Sequence, residues 1–416
     1  MSTSLQLLKS RKFLPLFIAQ FFGAFNDNIL KNAFLIWFTY EISFKTGVNA
    51  GFINSLAALL FILPFLLFSY FAGKIADKYE KSTLLRKIKL VEIILMLFCF
   101  VGFYLQNHKF LLTLLFLMGA QSAMFGPLKY SMPKQLLQPT ELIYANSLIE
   151  SSTFLAILFG TIFGTILIRS EFGIEIICAS LILFAIIGFI ASFFVPKITI
   201  IKSHNLQFNF LQFVKDKSGT IPKINAIILI SWFWLIGTVF LTQFPIFSKE
   251  IIKGDEKIVS LFLIIFSIGI AIGSLFYAKI TKGKINIKLA KIAIIGISVS
   301  MICLYFVSLN YQGFEGQNLT YFLNNGQLII LSMLLIAICA GIYVVPIYSS
   351  LQISAKNEFI ARIIAINNIF NAFFMVLASI IMIILFKIDL KITEIFLIFA
   401  ILNLFMVFLM KNKDKS

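Results

Sequence analysis

The sequence predicts an all-α integral membrane protein with twelve transmembrane helices in two six-helix halves. Hydrophobic residues make up 60% of the 416 residues and charged residues only 13%, giving a mean hydropathy of +0.98, far outside the soluble range. Apolar runs near twenty residues recur from end to end. At about 1.5 Å per residue, each crosses a hydrocarbon core of roughly 30 Å. The basic residues also alternate between the connecting segments. With the N-terminus on the cytoplasmic side, 26 of the 35 Lys/Arg fall on that side, 8 on the other, and Lys31 lies within a helix. This positive-inside bias accounts for the net charge of +17 as topology, without nucleic acid as a partner.

The first six helices are expected at 13–40, 51–73, 88–106, 110–128, 142–168 and 173–195, and the second six at 224–248, 258–279, 290–309, 327–351, 360–386 and 392–410. The first is too long for a cleavable leader and lacks a small-residue cleavage site, so it reads as a retained helix. The chain then divides into an N-terminal half (1–195), a basic cytoplasmic linker (196–223) and a C-terminal half (224–416), with both termini cytoplasmic. Short apolar pieces within the linker suit an interfacial amphipathic helix. Small-Lys-Ile-small recurs after the second helix, "GKIADK", and after the eighth, "AKITKG", as an internal duplication would leave it. Gly160/Gly164 and Gly269/Gly273 are small-residue pairs suited to close helix contact, and Pro64, Pro245 and Pro346 suit kinks. The 49 Phe fit either a cavity greased for acyl chains or the drift of an AT-rich genome among lipid-facing positions, which is the simpler account.

Several chemistries find no support. The sequence has no G-x-x-x-x-G-K-[ST] phosphate loop and no G-x-S-x-G elbow. His108 and His204 lie in expected loops without the acid of an H-x-x-x-x-D acyltransferase. The four cysteines fall singly within helices, so neither a metal site nor a disulfide framework is expected. A transporter is expected, not an enzyme.

Charges inside helices are costly in lipid and mark function by default. "QFFGAFNDNILKNAF" in the first helix places Asp27 near mid-depth and Lys31 one turn on, on the same face, amid Asn26, Asn28 and Asn32. A self-neutralising Asp27–Lys31 pair is one reading; the extra amides favour a hydrated pathway. Glu150 lies about two turns into the fifth helix, and Lys129 follows Gly126-Pro127 at the expected end of the fourth, positioned to snorkel. Asn367 and Asn371 share a face of the eleventh helix and are expected to line the cavity from the other half; Glu92 and Arg362 read as rim residues.

"GKIADK" resembles the G-x-x-x-D-[RK] loop of the major facilitator superfamily, with Gly73, Asp77 and Lys78 at its three positions. The resemblance implies the major facilitator fold, with the acid bracing the region of helices two and eleven in one conformation. The blocks "FLPLFIAQFFGAFNDNILKNAF", "FGPLKYSMPKQL", "ELIYANSLIESSTFLAILFGTIFG" and "GIYVVPIYSSLQ" resemble the bacterial lysophospholipid transporter (LplT-type) family within it. They look especially like the transporter domain that some bacteria fuse to a 2-acylglycerophosphoethanolamine acyltransferase and an acyl-carrier-protein synthetase. Stand-alone members have an arginine where this chain has Leu241, which favours the fused-type branch. The resemblance implies a monomeric flippase of the bacterial inner membrane. It would move lysophospholipids, chiefly lysophosphatidylethanolamine, from among the membrane lipids to the cytoplasmic leaflet for reacylation by such partners, with sodium or proton as a coupling ion. Asp27, Lys31, Lys129 and Glu150 would then form a formally neutral set for a zwitterionic head. The alternatives are an exporter of small solutes or drugs and a non-transporting scaffold for an acyltransferase.

Overall fold

The computed structural model describes residues 3–198, 210–216 and 220–410. These residues form twelve long helices: α1 (Leu14–Trp37), α2 (Ala50–Lys78), α3 (Lys81–Tyr104), α4 (His108–Leu136), α5 (Pro139–Leu167), α6 (Gly173–Phe193), α7 (Lys223–Phe247), α8 (Glu256–Thr281), α9 (Ile287–Asn310), α10 (Gln327–Ser354), α11 (Ile360–Lys387) and α12 (Ile392–Phe405). Each expected helix is found. Ten are long and apolar enough to cross a membrane by length and composition; α1 and α3 are the two outside that group. Their apolar runs are diluted by Asn26, Asp27, Asn28 and Lys31 in α1 and by Lys89 and Glu92 in α3.

Two boundaries shift in ways that matter. The third helix was expected to begin at 88, but α3 starts at Lys81, where the Glu80 carboxylate caps the amides of Ser82 and Thr83. The fourth was expected to end at 128, but α4 runs through Pro127 and Pro133 to Leu136. Packing against neighbouring helices sustains it past the missing amides. In the linker, a short helix forms at Phe210–Lys215, while 199–209 and 217–219 lie outside the described residues, as does His204. The first helix of each half widens into a five-residue π-turn at its end, Phe38–Ile42 after α1 and Ser248–Ile252 after α7. The irregularity thus falls at the same place in each half.

The small-residue pairs hold helices close together. A Cβ on Gly160 of α5 would lie 2.8 Å from the Asn28 Cβ and the Phe25 carbonyl of α1, and one on Gly164 would lie 2.7 Å from the Ile29 carbonyl. In the second half, Gly269 and Gly273 of α8 face Ala337 and Ile338 of α10 in the same way. Aromatic residues fill each half: Phe34, Trp37 and Phe103 in the first, Phe240, Phe244, Phe262 and Phe396 in the second.

Side-chain hydrogen bonds between the halves gather at one end, where α2, α4 and α10 finish and α5 and α11 start. Lys134 donates to the Ile353 carbonyl (3.0 Å), Asn146 to Ser349 (2.8 Å) and Gln352 (2.6 Å), and Gln352 to the Tyr130 carbonyl (2.9 Å). Beyond this closed seam the halves part around a cavity.

Candidate functional site

The cavity has a volume of about 330 Å³ and is walled by both halves. On α1 it is lined by Gln20, Ala24, Asp27, Asn28 and Lys31, positions spaced by three and four residues and therefore on one helical face. Helix α4 contributes Gln121, Ser122 and Lys129, and α3 contributes Lys89. Phe61, Ile62 and Phe65 of α2 and Met375 of α11 form an apolar flank. Trp234 of α7, Tyr348 of α10, and Asn368 and Asn371 of α11 complete the second half's share, which is uncharged.

Asp27 and Lys31 both face the cavity but form no ion pair with each other. Asp27 accepts a hydrogen bond from the Ser122 hydroxyl (2.8 Å), and its other oxygen is buried without a partner. The Lys31 ammonium donates to the Asn28 amide oxygen at 3.4 Å. The two are therefore not in direct contact: Ser122 draws the carboxylate toward α4 while the lysine reaches for Asn28. Asn28 is further held by a bond from its amide to the Ala24 carbonyl (2.8 Å).

The buried ion pair beside the cavity is Lys89–Glu92, at 2.7 Å, with both side chains 1% exposed. Gln121 (3.1 Å) and Asn26 (3.3 Å) also donate to Glu92, so three helices meet at one carboxylate, and Asn26 ties in a fourth, α6, through the Leu181 carbonyl (3.0 Å). Gly23 makes room for it, since a Cβ there would lie 2.6 Å from the Lys89 ammonium. Glu92 was expected at the rim; it is interior because α3 begins seven residues earlier than its apolar run suggests. The Lys-x-x-Glu spacing within that run was the available signal.

Lys129 is also interior rather than snorkelling, because α4 continues past it. Its ammonium donates to the Thr153 hydroxyl (2.8 Å) and lies 5.2 Å from the Tyr130 ring centre. Glu150 is fully buried but does not line the cavity. The Tyr130 hydroxyl donates to it at 2.6 Å, and its second oxygen has no partner. Asn371 faces the cavity and accepts from Ser231 (2.9 Å), but Asn367 does not; it is buried with neither amide atom bonded. The cavity-facing pair on α11 is Asn368 and Asn371, so the helix is turned by one residue from the expected register.

At the closed end, Asp77 accepts from the amides of Ala361 (3.0 Å) and Arg362 (3.2 Å) and from the Arg362 guanidinium (2.9 Å). A carboxylate at the N-terminus of α11 meets both free amides and the positive end of the helix dipole. Arg362, expected at the rim, is thus a partner of Asp77. Gly73 permits the approach: a Cβ there would lie 2.6 Å from the Ala365 Cβ and 2.8 Å from the Arg362 Cα. Lys78 points away, 5.5 Å from the Tyr79 ring centre.

A family model described as Major Facilitator Superfamily matches residues 16–379. Among curated proteins, the chain is 28% identical over 207 residues to the lysophospholipid transporter LplT of Photorhabdus laumondii, covering 48% of this chain and 47% of the relative. It is 30% identical over 173 residues to the LplT of Pectobacterium carotovorum, covering 41% and 40%. The chain therefore spans about half the length of the curated relatives it matches. Among solved structures, the human organic anion transporter MFSD10 superposes with a TM-score of 0.74 at 12% identity, over 96% of this chain and 99% of that one. The transporter FucP in its outward conformation gives 0.72 at 12% identity, over 96% and 98%. At that identity the likeness is one of fold.

Proposed function

This chain belongs to the Major Facilitator Superfamily, and from that premise we propose that it carries lysophospholipids between the leaflets of a bacterial inner membrane by alternating access. The observation that supports this reading is the two-part cavity. A polar wall of Asp27, Asn28, Lys31 and Lys129 faces an apolar flank of Phe61, Ile62, Phe65 and Met375 between α2 and α11. Such a cavity suits an amphiphile with a phosphate head and one acyl chain. The similarity to LplT proteins supports the same cargo class. In this reading the basic end, with the linker and both termini, is cytoplasmic. The closed seam is then the inner gate, and cargo released there is presented to an acyltransferase. A sodium or proton gradient drives the cycle.

The test is purified protein in liposomes with a labelled lysophospholipid, with and without each gradient. Wild type is expected to move the label. Asp27→Asn and Lys31→Gln are each expected to abolish movement, and the double variant to stay inactive while remaining folded. Since the two groups are not paired, removing both relieves no strain. Near-normal transport by the double variant sinks the assigned roles. A wild type that moves small solutes but no lysolipid sinks the cargo assignment.

A further inference from the structure

Around the cavity each lysine of the first half has one carboxylate as its charge partner: Lys31 with Asp27, Lys129 with Glu150 and Lys89 with Glu92. The set is formally neutral. Of the three pairs, Lys89 and Glu92 alone are in direct contact, at 2.7 Å. The surroundings of that ammonium are rich in oxygen. Glu92 supplies a carboxylate, and Asn26, which is 0% exposed, has an amide oxygen without a partner. The Gln121 amide oxygen accepts from Ser122 at 3.3 Å. The carbonyls of Leu181 and Ile88 accept from the Asn26 (3.0 Å) and Gln121 (3.5 Å) amides. Glycines clear the space on two sides. A Cβ on Gly23 of α1 would lie 2.6 Å from the ammonium, and one on Gly188 of α6 would lie 3.6 Å from it. Lys89 also lines the cavity, from which a pair needed for packing alone would be sealed.

We infer that Lys89 is a tethered cation: its ammonium occupies a site whose oxygens would otherwise bind an alkali cation from the cavity, and it makes the cycle of this chain independent of sodium. A carboxylate as buried as Glu92 requires a positive partner, because an unpaired charge is costly there. Hard cations take oxygen ligands, and acids within membrane helices mark ion pathways. An ammonium on its own flexible stem satisfies the carboxylate without dissociating, and it repels a second cation from the same oxygens. A bound ion would be released at each turnover; this charge stays on α3. The inference goes beyond the lysophospholipid reading and does not rest on it.

The test is the melting of purified protein in detergent, in sodium chloride against choline chloride at equal ionic strength. Wild type is expected to melt alike in both. Lys89→Ala leaves Glu92 without its cation and is expected to melt lower in choline and to recover by roughly 2 °C or more in sodium. Lys89→Gln, which keeps most of the stem, is run beside it. Adding Glu92→Gln to Lys89→Ala should remove the sodium response. The inference is overturned if neither lysine variant distinguishes the salts, whether because each melts alike in both or because neither folds. It is also overturned if wild type responds as the variants do, or if the response survives Glu92→Gln. A second arm is transport in liposomes. Wild type should move lysolipid equally in either salt, and Lys89→Ala on the order of tenfold faster in sodium than in choline. A wild type that requires sodium, or a Lys89→Ala variant indifferent to it, overturns the inference. If wild type moves no lysolipid in any salt, the cargo reading falls and the melting comparison still decides this one.

Discussion

Tyr130 of α4 and Tyr348 of α10 stack face to face across the seam between the halves, with ring centres 4.4 Å apart and planes within 6°. The Tyr130 hydroxyl donates to Glu150, and Tyr348 accepts from the Trp234 indole at 3.2 Å. The stack closes the cavity floor and keeps a carboxyl off its wall. An aromatic pair contributes about 0.5–1.5 kcal/mol beyond burial, so Tyr348→Ala is expected to raise the open-seam population roughly two- to tenfold. A cysteine at the buried Ser350, in a background without the four native cysteines, reports this as faster labelling from the basic side. Unchanged labelling would show that other contacts hold the floor shut.

The latch at Asp77 predicts a graded response. Asp77→Asn weakens three hydrogen bonds to α11 at once, and bonds to a charged group contribute about 1.5–3 kcal/mol each. The closed seam should then lose at least tenfold in population, with transport falling accordingly. Arg362→Ala leaves the two backbone amides in place and should be milder. If Arg362→Ala proves the more damaging, the amides are not the principal partners.

Breaking the Lys89–Glu92 pair should destabilise the first half. Glu92→Ala strands a lysine that is 1% exposed, and removing one partner of a buried pair costs about 3–5 kcal/mol. The variant is expected to melt at a markedly lower temperature in detergent. Replacing both residues with apolar ones of similar volume should restore most of that loss. A single variant as stable as wild type would show that water reaches the site.

Glu80 gives a pH dependence outside the membrane-spanning segments. Partial burial disfavours its charge, but hydrogen bonds from Thr83, the Ile198 amide and Ser82 outweigh this and hold the carboxyl at about 2. A folded pKa below the ordinary value of 4.5 stabilises the folded state above that value, and the contribution fades as pH falls toward 2. Glu80→Gln should therefore be less stable than wild type at neutral pH, with the gap closing as the solution is acidified from about 4.5 toward 2. A gap that is constant with pH would exclude the carboxylate as its source.

The twelve helices and the polar face of α1 were legible because apolar run length and a three-to-four residue spacing are properties of one helix alone. Asp27, Asn28 and Lys31 come from that spacing and do line the cavity. How each helix is rotated against its neighbours is set by contacts between segments distant in sequence. Asn368, not Asn367, therefore faces inward, and Glu150 lies behind a tyrosine from another helix. Helix ends misled the placement of Glu92 and Lys129, because polar residues and proline at an apolar run's edge look like an exit into water. Here they are interior, satisfied by Gln121, Asn26 and Thr153 from other helices.

All four charged side chains on the cavity wall belong to α1, α3 and α4. The charge of the wall is thus a property of the first half alone, and the second half meets it with uncharged side chains. In the proposed reading, changes to the charge of the wall fall upstream of the linker, while its uncharged lining is shared with the downstream half. The downstream half is held to the amides that meet Asp77, the shallow surface that accepts Gly73, and the seam partners Tyr348, Ser349 and Gln352. A chimera joining this first half to the second half of a relative should therefore keep the head-group choice of the first.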